Sequence, residues 1–196
     1  MIERGVLSGI AIGLTFVGFV PYIRAIRQHK TKPHVFSWVI WGSSTFIAFL
    51  AQLSGGGGVG AWPIGVSGLI SLYIAILAYS RRADSVITRQ DWWFLLAAMS
   101  SLPLWYFTSD PLWAVVVLTA VDVIGFGPTL RKAYVRPHEE NLVFFAIFAV
   151  RNAVAVAALE QYTLTTVLFP VATGLACVTL VAVVGYRRQA VRTSSG

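Results

Sequence analysis

Apolar residues in this chain come in long unbroken runs separated by short polar segments, not in strict alternation or along a single helical stripe. Seven runs stand out, at residues 6–26, 35–53, 60–79, 92–108, 112–134, 141–159 and 163–186. A hydrocarbon core about 30 Å thick takes roughly 20 apolar residues of helix to cross. Each run is apolar around most of its circumference, as suits a helix surrounded by lipid and other helices. The pattern predicts an all-α integral membrane protein with seven transmembrane helices. The first run reads as a span and not as a cleaved signal peptide, because it is long and the next run follows within about ten residues.

Composition narrows the picture further. Of 196 residues, 57% are hydrophobic and only 12% charged, against about 25% charged in a typical soluble domain. Such a chain has too little polar surface for water and too much apolar content for disorder. Cys177 is the only cysteine, so neither an internal disulfide nor a cysteine zinc site is expected, and nothing implies a cofactor. The net charge of +7 comes from loops. Arg24, Arg27, Lys30 and Lys32 flank the first loop, Arg81, Arg82 and Arg89 the third, Arg131, Lys132 and Arg136 the fifth, and Arg187, Arg188 and Arg192 the tail. Basic residues concentrated on alternate loops mark the cytoplasmic face, which puts the N-terminus outside and the C-terminus inside. Trp62, Trp92, Trp93, Trp105, Tyr106 and Trp113 fall near span ends and read as interfacial anchors. The glycines at 55–58 read as a flexible outer turn; no Lys-Ser/Thr pair follows to make them a phosphate cradle.

One pattern occurs twice. Gly18-Phe19-Val20-Pro21, followed by Arg24, matches Gly125-Phe126-Gly127-Pro128, followed by Arg131. Pro33-His34 before the second run matches Pro137-His138 before the sixth. Trp62-Pro63 with Arg81-Arg82 matches Phe169-Pro170 with Arg187-Arg188. The spacing is about 104 to 107 residues. Each copy therefore holds three spans, with the fourth between them. Three spans plus one linker make four crossings, so the second copy runs in the same direction as the first. This gives a 3+1+3 arrangement: a first three-helix bundle (residues 1–82), a linker transmembrane helix (83–110), and a second bundle with a short cytoplasmic tail (111–196). Parallel repeats related by an axis along the membrane normal are a recurring transporter architecture, with the substrate site near midplane.

On these features the chain resembles the SWEET and PQ-loop superfamily, including the half-size SemiSWEET-like members, as a divergent relative. The likeness covers nearly the whole chain in topology and repeat. The family's Pro-Gln pair near the cytoplasmic ends of spans one and five stands here as Pro21-Tyr22 and Pro128-Thr129, and Lys30-Thr31-Lys32 is similar to the basic stretch that follows it. The Asn that sugar-transporting members carry in spans three and seven is replaced by Ser67, Ser71 and Thr173. The resemblance implies two bundles working by alternating access on a small solute. It also implies a proton-coupling role for Asp122, because some proton-coupled members carry an Asp shortly before the motif in span five.

The residues themselves keep several readings open. Asp122 and Arg151 lie near the middles of the fifth and sixth runs, with Asn152 beside Arg151. A charge at the bilayer centre costs about 2.5–3.5 kcal/mol on insertion scales and normally faces a protein interior. The pair reads as a structural salt bridge, as a site in which Arg151 grips an anionic group, or as proton-coupling machinery. The repeat sets Thr15 opposite Asp122. Trp38 and Trp41, three apart on one helical face, either stack on a ring-shaped solute or pack near the cytoplasmic boundary; Ser44 lies in the same polar stretch. Ser67 and Thr173 complete the candidate substrate-binding set. Pro21 and Pro128 each remove a backbone donor, and with Gly18 and Gly125 one turn earlier they form either gating hinges or static kinks. His29, His34 and His138 read as loop or helix-start residues and not as a metal pair.

The expected function is therefore a membrane transporter for a small polar solute, such as a sugar, amino acid or vitamin-like compound, with proton coupling through Asp122 as the resemblance implies. The alternative is a seven-helix receptor of KDEL-receptor-like fold that binds a ligand without moving it. The deep spans offer one Asp and no His, so no enzyme activity is expected. A rhodopsin is set aside because Lys30, Lys32 and Lys132 all lie at membrane edges. The expected partners are a small-molecule solute and the lipid bilayer, not nucleic acid, with the chain a monomer or a homo-oligomer. The expected location is a bacterial inner membrane.

Overall fold

A computed structural model describes residues 3–30, 33–81, 89–135, 137–139 and 141–193. Among these residues there are seven α-helices and no strand: α1 Arg4–Arg27, α2 Val35–Ser54, α3 Trp62–Ser80, α4 Arg89–Thr108, α5 Pro111–Val135, α6 Leu142–Ala157 and α7 Leu164–Thr193. Short 3-10 helices, Gly58–Ala61 and Pro137–Glu139, precede α3 and α6. The expected boundary at residues 82 and 83 lies outside the described residues, as do Thr31, Lys32 and Arg136.

Five helices are long and apolar enough to cross a membrane: α1, α2, α3 with its leading 3-10 turn, α5 and α7. Their outward faces carry large apolar side chains. Ile76 is 68% exposed, and Val17, Leu69 and Leu175 are also uncovered. An apolar surface of this extent belongs against lipid, so the chain is consistent with an all-α integral membrane protein. The two remaining runs form helices of a different character. α6 has 16 residues, about 24 Å at 1.5 Å per residue, and carries Arg151. α4 opens on Arg89 and Gln90 and includes Ser100, Ser101 and Pro103, which lowers its apolar content.

The helices pack in two groups with the same internal order. α3 contacts both α1 and α2, and α7 contacts both α5 and α6. Between the groups, α1 lies against α6 and α2 against α5, while α4 packs on α5 and on α2. α2 and α3 run antiparallel at close range because small residues meet large ones. Gly42 faces Leu72, Gly68 faces the backbone of Phe46, and Gly65 lies on the ring of Phe49. A methyl at any of the three would come within 3 Å of its neighbour.

The glycine run after α2 is a packed turn, not a loose one. Gly56 and Gly58 adopt φ of 82° and 57°, a conformation glycine enters without steric cost. The turn then locks onto the one between α6 and α7. The Glu160 amide donates to the Gly57 carbonyl at 3.2 Å. The Val59 amide donates to Glu160 Oε1 at 3.2 Å, and a Cβ on Gly60 would lie 2.6 Å from the Ala158 carbonyl carbon. Deeper in, the fully buried Gln52 donates from Nε2 to the Thr166 carbonyl at 2.7 Å. The same end receives the start of α1, where Ser8 Oγ donates to the Val59 carbonyl at 2.6 Å.

At the opposite end, helix starts are capped by side chains. His34 Nδ1 accepts from the Ser37 amide at 3.3 Å, and Asn141 Oδ1 accepts from the Phe144 amide at 3.1 Å. These are ordinary N-caps. The residue that does for α6 what His34 does for α2 is therefore Asn141. His138 sits apart in its 3-10 turn, so the match of Pro33-His34 with Pro137-His138 is three residues out of register. The basic residues here also bind backbone. Arg187 Nε donates to the Tyr134 carbonyl and Arg188 Nε to the Pro137 carbonyl, both at 3.0 Å, near the carbonyl-rich end of α5.

Candidate functional site

α1 begins at Arg4 and α5 at Pro111, and α2 begins at Val35 and α6 at Leu142, both steps of 107 residues. The same step relates contacts between the two groups. A Cβ on Gly18 of α1 would lie 2.5 Å from the Phe148 ring of α6. Gly125 of α5, 107 residues on, faces the indole Nε1 of Trp41 of α2 at 3.4 Å, and Trp41 precedes Phe148 by the same step. Within each group, Phe19 meets Trp38 edge-on at 6.2 Å and 64°, and Phe126 meets Phe145 edge-on at 6.1 Å and 69°.

One helical turn beyond these contacts lie four buried polar residues on four helices: Thr15 on α1, Ser44 on α2, Asp122 on α5 and Arg151 on α6. The 107-residue step pairs Thr15 with Asp122 and Ser44 with Arg151. Both charges fall in the second group; the equivalent positions of the first carry hydroxyls, of which Thr15 Oγ1 donates to the Ala11 carbonyl of its own helix at 2.9 Å. Asp122 is 8% exposed, and Arg151 and Asn152 are 3% exposed each.

The bonding at this level is incomplete. Arg151 Nη1 donates to Asn152 Oδ1 at 2.8 Å, and the guanidinium stands 5.0 Å over the Phe148 ring, a cation–π contact. Arg151 Nε has no partner, and neither do Ser44 Oγ or Thr119 Oγ1, the latter one turn before Asp122. Asp122 lies within electrostatic reach of Arg151 and of Cys177 on α7. Among the described residues, however, no nitrogen–oxygen approach between Asp122 and Arg151 is close enough for an ion pair, and the Asp122 carboxylate accepts no hydrogen bond. Buried polar groups normally find partners, so this level of the bundle holds unused capacity for binding. On the α7 side Gly174 lets the helix pack closely against it: a Cβ there would lie 3.2 Å from Asn152 Cβ.

The other candidate residues are placed differently. Trp38 belongs to an aromatic cluster with Phe19, Tyr22 and Trp41, its ring 5.2 Å from Tyr22 and 5.7 Å from Trp41. Ser67 is buried on α3, which packs on α1 and α2. The Thr173 hydroxyl donates to the Phe169 carbonyl of its own helix at 2.9 Å. Pro21 lies inside a continuous α1. Pro128 lies within α5, and its side chain falls outside the described residues. Among the described residues no three His, Cys, Asp or Glu side chains converge to hold a metal. A cavity of about 320 Å³ opens elsewhere, lined by Leu102, Trp105, Tyr106 and Ser109 at the end of α4.

Two features of the bundle escape sequence reading: the pairing of Ser44 with Arg151, and the latch through Gln52 at the turn end. The first needs the 107-residue register, which the matching proline-histidine pairs obscure. The second joins residues 114 positions apart and leaves no local signal. The chain matches no family model, no curated protein and no solved structure.

Proposed function

We propose that the protein is a membrane carrier for a small polar solute, working by alternating access between two parallel three-helix bundles, α1–α3 and α5–α7, with α4 as linker. In this reading all seven helices cross the membrane, the N-terminus lies outside and the C-terminus inside, in a bacterial inner membrane. The observation that carries it is the buried level of Thr15, Ser44, Asp122 and Arg151, where two charges and the unpartnered Ser44 hydroxyl sit at the junction of both helix groups. Charge held at such depth is costly and marks solute or ion pathways. The equivalent contacts Gly18–Phe148 and Gly125–Trp41 support a duplicated unit with an axis between the halves. The exposed aromatic residues Trp92 and Trp93 at one end of α4, and Tyr106 and Phe107 at the other, support α4 as a span with rings at both interfaces.

In this reading the arrangement is the closed state of the carrier. The turns of α2–α3 and α6–α7 interlock at one end, and the aromatic cluster around Phe19, Trp38 and Phe144 fills the other. Alternate opening of these two ends exposes the polar level to each side in turn. The test is counterflow of labelled solutes into proteoliposomes holding the purified protein. Concentrative exchange supports a carrier, whereas saturable binding with no flux supports the receptor reading.

A further inference from the structure

We infer that the solute is a zwitterion of the α-amino-acid class, its carboxylate held by Arg151 and its ammonium group by Asp122. The inference deepens the carrier reading and rests on it for how solute reaches the site. Two opposite charges lie at one depth, close enough to feel each other, yet each lacks the partner its chemistry calls for. A buried structural ion pair is expected to close and to satisfy its remaining donors and acceptors. Here the Arg151 Nε donor is unused, and the guanidinium is held in place by Asn152 Oδ1 on one side and the Phe148 ring beneath. Those contacts orient the fork without neutralising it. The carboxylate of Asp122 has only oxygen acceptors to offer.

A ligand that satisfies both must bring an anion with two acceptor oxygens and a cation with several donors, separated by a short linker. Guanidinium and carboxylate match in planar, two-point fashion, and an ammonium supplies three donors to Asp122. An anion alone leaves Asp122 unpaired, and a cation alone leaves Arg151 so. A neutral sugar satisfies hydroxyl-type demands but neutralises neither charge. Ser44 Oγ and Thr119 Oγ1, both unpartnered, supply further hydrogen bonds near the charged ends.

The experiment uses the full-length protein in detergent and in proteoliposomes. The thermal shift on adding each protein amino acid reports binding, and counterflow of the labelled compound reports transport. At least one amino acid raises Tm and exchanges. Its amide, lacking the carboxylate, and its N-acetyl derivative, lacking the ammonium, each compete at least about tenfold more weakly, as expected for loss of a charged hydrogen-bond partner. Arg151→Lys keeps the charge but loses the fork, so affinity falls while the protein still elutes as a folded species. Asp122→Asn weakens the parent amino acid but removes the penalty for the N-acetyl derivative. Exchange of a neutral sugar or nucleoside that amino acids do not compete overturns the zwitterion and leaves the carrier standing. Amino-acid binding without exchange leaves the zwitterion site standing and overturns the carrier. No thermal shift and no exchange with any amino acid overturns the inference.

Discussion

Gly18 and Phe148 meet where α1 crosses α6, so closely that a methyl on the glycine would stand 2.5 Å from Cε2 of the ring. The equivalent pair across the other junction, Gly125 and Trp41, is looser, at 3.4 Å. The two junctions therefore respond differently to the same change. Gly18→Ala costs about 1–3 kcal/mol of overpacking, offset in part by about 1 kcal/mol of helix propensity. Gly125→Ala meets ordinary contact and keeps the propensity gain. Thermal unfolding in detergent should show Gly18→Ala lowered and Gly125→Ala unchanged or raised. Phe148→Leu should restore the Gly18→Ala protein in the double variant. Equal effects at both glycines would sink the packing argument.

Gly60 presents a harder constraint, because the atoms facing it are backbone. A Cβ there would strike the Ala158 carbonyl carbon and the Leu159 amide, and neither belongs to a side chain that can rotate away. Gly60→Ala should cost about 3 kcal/mol or more and cut the yield of folded protein. Gly13 has nothing within 4 Å of its Cβ position, so Gly13→Ala should be neutral or stabilise by up to about 1 kcal/mol. Size-exclusion profiles and Tm of the two variants decide the point.

Much of the architecture is legible in the chain because the bilayer imposes it. A span must be apolar for about 20 residues, and every predicted run does form a helix within about three residues of its expected ends, except that α7 continues past residue 186 to Thr193. The limits lie where tertiary packing sets the outcome. The glycines at 55–58 read locally as flexibility, but the neighbouring turn converts them into a tight contact surface through Leu159 and Glu160. His34 and His138 look equivalent because each follows a proline, yet only cap geometry reveals that Asn141 is the partner of His34. Asp122 and Arg151 stand out from sequence alone, since charges in apolar runs are rare. Their failure to close as an ion pair depends on Asn152 and Phe148, whose roles are set by side-chain orientation.

The latch through Gln52 should carry much of the coupling between the turns. Its Nε2 donates to the Thr166 carbonyl in a fully buried setting, and Gln52→Ala removes that donor while leaving the carbonyl enclosed. An unsatisfied buried group costs about 1–3 kcal/mol. Tm should fall accordingly, by roughly 2–4 °C per kcal/mol for a chain of this size. If the turns form a gate, hydrogen exchange at Gly57 and Glu160 should also quicken in this variant. A Tm equal to that of the parent would show that the bond contributes nothing net.

Asp122 and Arg151 should be energetically coupled even without contact. Neutralising one leaves the other as a lone charge among apolar helices, and neutralising both removes the problem. Asp122→Asn combined with Arg151→Gln should therefore lose less stability than the two single changes added together, by about 0.5–3 kcal/mol. Four proteins and a denaturation curve for each suffice. Strict additivity would mean that the two charges do not sense one another.

The short helix α6 decides whether the seven-span reading stands. Its 16 residues fall short of a full hydrocarbon thickness, but α1 and α7 both pack on it. If it crosses, His138 before it and Gln161 after it lie on opposite faces of the membrane. Both are exposed, and Cys177, the sole native cysteine, is buried and can be replaced by Ala. In that background Gln161→Cys should react with a membrane-impermeant maleimide on intact cells. His138→Cys should react only after permeabilisation, as should Gln28→Cys at the end of α1. Labelling of His138→Cys and Gln161→Cys from the same side would make α6 a re-entrant segment. The two helix groups would then no longer share a direction across the membrane, and the axis that relates Thr15 to Asp122 would be lost with it.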